Sequence, residues 1–228
     1  MSRIPSASTD VPEERHRAGR APGDLALLQS FVNTWDAEGG RDLLDSPAAV
    51  GAWLSTHGLT GESEGSTPAG QRRTREVREA LRLLLAANNP ALFVEGQVLA
   101  RAAANLSAAA RRGRPALRVG ADGRFELGAE EGRVDGALTR LLAIALQAQA
   151  EGRWSRLKVC RADACRWAFY DRSRGRTATW CAMATCGSRA KMRSYHRRRS
   201  VRAGGPLSAA LGDTGPAGRP PSPLVPSP

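Results

Sequence analysis

The chain has 228 residues, 41% of them hydrophobic, which is enough for one ordinary domain plus a small module and excludes a protein disordered throughout. Its four cysteines lie in a single cluster, which argues against a disulfide-stapled secreted fold. The net charge of +12 is local: Glu151 to Gly204 holds fifteen Lys or Arg against three acids, while the remainder holds nineteen of each sign, so the excess reads as one face for a polyanion.

Taken in order, residues 1–23 mix Pro, Ser and both charges without periodicity and are expected to form a disordered lead. That lead has no apolar run of the signal-peptide kind, and no stretch elsewhere is apolar for long enough to span a bilayer. A cytoplasmic, nucleoid-associated location without a membrane partner is therefore expected. Residues 24–152 read as a helical domain. Asp24 is placed as the cap of a first helix burying Leu25, Leu28, Phe31, Val32 and Trp35. Ser46 followed by Pro47 starts a second helix, with Val50, Trp53 and Leu54 inward. After an exposed loop over 60–70, a third helix from about Gln71 carries Val77, Ala80, Leu81, Leu84 and Leu85 as its stripe. Arg72, Arg73, Arg75, Glu76, Arg78, Glu79 and Arg82 are placed on its watered face. A fourth helix is expected over 91–110, with Gly96 weakening its first turns.

The β signal of this domain is a hairpin, Ala116–Val119 and Arg124–Leu127 around a Gly- and Asp-containing turn. An apolar helix with Val134, Leu138, Leu141, Leu142, Ala145 and Leu146 inward closes the domain near Gly152. Asn33 and Asn105 lie close to apolar helix faces, where a pocket-lining role is weighed against plain packing; no ligand is identified. Residues 204–228 are Pro, Gly, Ser and Ala without pattern and are expected to be a disordered tail.

The organising segment is 153–203. Its cysteines are spaced Cys160-x4-Cys165-x15-Cys181-x4-Cys186, two close pairs that each can supply two thiolates of one tetrahedral Zn²⁺. One structural zinc bound by Cys160, Cys165, Cys181 and Cys186 is expected, with no open position for catalysis. Its net charge of −2 can be offset by Arg161, Arg166 and Arg189. Between the pairs, residues 166–171 and 177–180 read as the two strands of a hairpin around the turn at 172–176. Cys186-Gly187-Ser188 then leads into a helix, so that knuckle, hairpin, second knuckle and helix make a treble-clef arrangement. Trp167, Phe169 and Trp180 are assigned to its small core.

On the final helix Arg189, Arg193 and Arg197 recur every four residues, joined by Lys191, Arg198 and Arg199, with no acid among them. A solvated helix normally mixes its signs, so this one is assigned to phosphate contact, with Arg172, Arg174 and Arg176 of the turn beside it. Trp167, Tyr170, Trp180 and Tyr195 lie near enough in sequence to stack on bases or ribose, although for the tryptophans a place in the core is preferred.

Segment 160–199, with Trp180-Cys181-Ala182-Met183-Ala184-Thr185-Cys186-Gly187-Ser188-Arg189, resembles the CGNR zinc-finger family of bacterial proteins. Phe31-Val32-Asn33-Thr34, Asp42-Leu43-Leu44 and Trp53-Leu54 resemble the ABATE domain that precedes this finger. The resemblance implies a stress-induced transcription regulator whose finger binds DNA. Ser188 stands where the family has Asn, so a contact made by that Asn does not carry over.

The fold class is thus mainly α with a small β-hairpin in the N-terminal domain, followed by a treble-clef-like four-cysteine zinc finger. An enzyme is not expected: His16, His57 and His196 are scattered and no phosphate loop is present. Duplex DNA is the leading partner. RNA or ribosome binding and a zinc-stabilised protein-interaction module are the alternatives, and formation of a homodimer or the sensing of a ligand is assigned to the neutral helical domain.

Overall fold

A computed structural model describes residues 19–61, 66–129 and 133–202. Helix α1 (Leu25–Val32) buries Leu25, Leu28, Phe31 and Val32 and is followed by a two-residue hairpin, β1 (Trp35–Asp36) against β2 (Arg41–Asp42). Helix α2 (Pro47–Thr56) starts as its sequence requires: Ser46 Oγ accepts from Ala49 N at 3.1 Å and Pro47 occupies the first turn, where its missing N–H is not needed. Helix α3 (Pro68–Ala87) is the hub, packing on α1, α2, α4 (Gly96–Arg112) and α5 (Val134–Ala150). Between α4 and α5 the antiparallel hairpin β3 (Ala116–Val119) and β4 (Phe125–Gly128) turns at Gly123, whose φ of +78° suits glycine.

After one 3₁₀ turn at Trp154–Arg156, strand β5 (Leu157–Val159) pairs antiparallel with β6 (Ala168–Tyr170), in register Leu157 with Tyr170 and Val159 with Ala168. A π-turn, Met183–Gly187, leads into helix α6 (Ser188–Arg202). Leu157, Val159, Ala168 and Tyr170 join the same buried core as the helices, while Trp167 and Phe169 pack with the four cysteines. Successive strand residues point to opposite faces, so β6 is the shared wall between the helical core and the small metal-centred one.

Both outer edges of this two-stranded ribbon are closed by amide side chains of the helical domain. On the β6 edge Asn33 Oδ1 accepts from Ala168 N at 2.7 Å, Asn33 Nδ2 donates to Ala168 O at 2.9 Å and Gln29 Nε2 donates to the same oxygen at 3.0 Å. On the β5 edge Asn88 Nδ2 donates to Leu157 O at 2.9 Å and Asn89 Nδ2 to Val159 O at 2.8 Å. A buried strand edge needs partners for its backbone groups, and here side chains supply them.

Several expectations are corrected. The strand partner of β6 is 157–159, ahead of the first cysteine, and 177–180 forms no strand; Leu157 and Val159 have the helical core to bury into, and 177–180 does not. Residues 19–23, assigned to the disordered lead, are ordered at their start: Gly19 O accepts from Tyr170 N at 2.7 Å, and Ala21 is buried. Gly19 suits this approach, because a Cβ there would lie 3.0 Å from Phe169 Cβ. Asp24 makes no side-chain cap, Trp35 lies beyond α1, α3 begins at Pro68 under a Thr67 cap, and α4 begins at Gly96. Residues 1–18 and the tail from 204 lie outside the described residues.

The largest correction concerns α3. Arg78 and Arg82, assigned to its watered face, are 2% and 4% exposed. Arg78 donates to Asp42 Oδ1 at 2.5 Å and to Glu79 Oε1 at 2.8 Å. Arg82 donates to Glu79 Oε2 at 3.0 Å, to Val32 O at 2.5 Å and to Arg166 O at 2.8 Å. A buried guanidinium is tolerated when its donors are used in this way. Burial would raise the Asp42 carboxyl, but the bonds from Arg78 and Leu44 N and the charges of Arg78 and Arg75 outweigh it and hold the group below its ordinary value.

Candidate metal centre and nucleic-acid interface

The β5–β6 turn carries Cys160 and Cys165, and the entrance to α6 carries Cys181 and Cys186. Arg166, at the end of the first turn, has a φ of +48°; its carbonyl, held by Arg82, ties that turn to α3. All four thiols are buried and their sulfurs lie within 4.8 Å of one another. Cys165 to Cys181 and Cys181 to Cys186 are each 3.7 Å. Four ligands at about 2.3 Å from a tetrahedral Zn²⁺ stand about 3.8 Å apart, whereas a disulfide would bring two sulfurs to about 2.05 Å. The spacing is that of a metal site.

The electrostatics agree. Thiol donation from Cys165 and Cys181 pulls the Cys160 thiol down to about 4, assisted by the amides of Cys181 and Ala162. The same sharing pushes the Cys165 and Cys181 thiols up, because protons withheld from Cys160 are held there. A divalent cation replaces those shared protons and lets all four sulfurs bind as thiolates. The four cysteines are therefore the ligand set of one structural zinc, closed on every side by protein. Trp167 and Phe169, 2% and 3% exposed, pack against it, as does the partly buried Trp180, with the Arg161 guanidinium 5.6 Å from the Trp180 ring.

The loop after β6 is held by a buried ion pair that sequence reasoning did not single out. Lys158 Nζ donates to Asp171 Oδ2 at 2.8 Å and to Arg176 O at 2.6 Å, and both side chains are almost wholly buried. Asp171 in turn accepts from Ser173 N at 2.9 Å and Ala178 N at 3.0 Å. Burial would raise its carboxyl; the Lys158 and Ser173 bonds outweigh it and the group stays below its ordinary value. The available signal was Lys158 standing between the apolar Leu157 and Val159.

The predicted phosphate-contacting residues divide. Arg172 donates to Arg20 O at 2.8 Å and lies 5.8 Å from the Tyr170 ring, and Arg176 donates to Ser155 Oγ at 3.1 Å, so both are tied to the protein. Arg174 is exposed on the loop. Tyr170, considered for stacking, is buried in the helical core. On α6, Arg189 donates to Glu38 Oε1 at 2.5 Å, joining the helix to the β1–β2 turn. Lys191, Arg193, Arg197, Arg198 and Arg199 are all exposed, and Arg198 donates to Ser194 Oγ at 2.9 Å. Ser188 Oγ donates to Met183 O at 3.0 Å and so fastens the turn that presents Cys186. Asn33 is a bracket for β6 and Asn105 is exposed on α4.

Residues 24–153 match the ABATE family, described as "Putative stress-induced transcription regulator", and residues 156–199 match the CGNR zinc finger. No curated protein matches the chain.

Proposed function

The chain belongs to the ABATE family and carries a CGNR zinc finger, and from that premise we propose that it is a stress-responsive transcription regulator binding duplex DNA through α6. The observation that carries this reading is the exposure of Lys191, Arg193, Arg197, Arg198 and Arg199 on a helix with no acid of its own, anchored by a zinc site. Phosphates are the simplest counter-charge for such a helix. Arg174, exposed on the loop, is assigned to phosphate contact as well. Arg189 reaches a phosphate only by giving up Glu38, which supports a lesser part for it. The zinc is enclosed by its four ligands and takes no part in catalysis, so the metal serves to position the helix.

No described helix is long and apolar enough to cross a membrane, and a cytoplasmic, nucleoid-associated location follows from the DNA reading. A second copy of the chain is the further partner we propose. Leu117, Val119, Phe125 and Leu127 stand on one face of the β3–β4 hairpin at 70%, 59%, 72% and 40% exposure. A bare hairpin is marginal in water, and two such faces stacked about a twofold axis would cover each other.

Sequencing the nucleic acid crosslinked to the protein in cells tests the reading. Chromosomal DNA is the expected result; RNA would favour a ribosome- or transcript-binding role, and recovery of neither would favour a zinc-stabilised protein-interaction module.

A further inference from the structure

A dense cationic helix has no electrostatic reason to expose apolar side chains, yet Met192 and Tyr195 of α6 are 55% and 51% exposed. Their position on the helix is ordered. At about 3.6 residues per turn, Met192, Tyr195 and Arg199 follow one another at steps of three and four and form a single ridge. Ala190 and Ser194, both half-buried, lie on the opposite side, where Arg198 donates to Ser194 Oγ. The ridge is therefore an exposed line on the side of the helix away from Ala190 and Ser194, beginning at Met192 beside the π-turn. Arg193 lies along one flank of it, where Arg189 is held by Glu38, and Lys191 and Arg198 lie along the other.

From this arrangement we propose that α6 enters the major groove of duplex DNA, with Met192, Tyr195 and Arg199 facing the base edges and the two cationic rows facing the two phosphate strands. The inference rests on the DNA-binding reading above and adds which side chains read sequence. The major groove is about 12 Å wide and accepts a helix, and its walls are two lines of phosphates, one for each flank. Charge complementarity thus fits both sides of the ridge at once. A flat phosphate contact would use a single row. The helix has the reach: its 15 residues span about 22 Å. From Tyr195 to Ser200 every residue is exposed, so the second half of α6 stands clear for a groove to close around it.

The chemistry of the ridge names the base feature. Met192 and the Tyr195 ring offer apolar surface, and the apolar group in the major groove is the thymine 5-methyl. Arg199 at the outer end can donate to the O6 and N7 acceptors of guanine, the commonest specific contact. The expected readout is thymine under the ridge centre with guanine at its far end. A-form RNA presents a deep, narrow major groove and no thymine methyl, so it satisfies neither contact.

The test needs no knowledge of a natural site. An alternating dA·dT duplex carries a 5-methyl at every base pair, and the same duplex made with deoxyuridine carries none. The full-length zinc-loaded protein is expected to bind the thymine duplex more tightly, by about fourfold for each methyl it buries. Met192→Ala and Tyr195→Ala, both at exposed positions, are expected to shrink that ratio towards one while keeping zinc content and the salt dependence of binding. Arg193→Ala is expected to lower the affinity for both duplexes and leave the ratio intact. Equal binding of the two duplexes by the wild-type protein, with steep salt dependence retained, overturns groove insertion and leaves phosphate binding standing. Equal or tighter binding of an A-form RNA duplex overturns it as well. Failure to bind any duplex overturns both this inference and the reading beneath it.

Discussion

Asn33 in the helical domain holds the backbone of Ala168 in the finger from both ends, accepting from its N–H at 2.7 Å and donating to its carbonyl at 2.9 Å. The residues on either side of the family boundary therefore share one hydrogen-bonded interface as well as one apolar core. Asn33→Ala leaves the buried Ala168 N–H without a partner, while its carbonyl keeps Gln29. A loss of about 2 kcal/mol is expected, from the unsatisfied donor. Chemical denaturation followed separately in the helices and in the finger should show one shifted transition for both. An unchanged midpoint would mean that the bracket contributes nothing.

Zinc removal should reach further than the finger for the same reason. The purified protein is expected to carry about one equivalent of zinc, and a strong chelator should unfold the cysteine segment and lower the thermal midpoint of the helical domain with it. Leu157, Val159, Ala168 and Tyr170 belong to the helical core, so loss of the β5–β6 ribbon exposes it. Metal-free protein with unchanged helical stability would contradict this coupling.

The Asp42–Arg78 pair gives a pH dependence with a definite sign. The Asp42 carboxyl is held below its ordinary value by Arg78, Leu44 N and Arg75, which outweigh its burial. Its stabilisation is therefore fully present above the unfolded aspartate value of about 3.9 and is lost as pH falls through the lower folded value. Asp42→Asn should destabilise by about 3 kcal/mol at neutral pH, since it breaks a buried pair. The gap between the two proteins should close on acidification below about pH 4. Denaturant midpoints measured as paired differences cancel any acid loss of zinc common to both. A gap constant with pH would show that Asp42 is not ionised in the folded protein.

Where the sequence is legible, the signal is local. Ser46-Pro47 marks a helix start through groups within one turn of each other, and the paired cysteine spacing marks a metal site because each pair sits in a single turn. Residues whose partners are distant in sequence are the ones it misplaces. Arg78 reads as a surface cation until Asp42 folds against it, and Arg82 until the carbonyls of Val32 and Arg166 do. Asn33 reads as a polar residue of unassigned role near an apolar face because its partner lies 135 residues away. The finger hairpin reads as 166–171 against 177–180 because both stretches carry strand-forming residues. Leu157 and Val159 take the pairing because they also fill the helical core, a gain that the alternation of a short segment does not reveal. The exposed ridge of Met192 and Tyr195 is hidden in the sequence by the charge around it, and becomes readable only from the exposure of both side chains.

Central to this account is phosphate contact by α6, and the salt dependence of affinity for duplex DNA tests it most directly. Log affinity should fall linearly with log salt at a slope of about −0.9 for each phosphate neutralised, and Lys191→Ala with Arg193→Ala, one from each flank of the ridge, should make that slope shallower by about 1.8. Binding that ignores salt, or a slope unchanged in the double variant, would contradict the account and assign the basic helix to another partner.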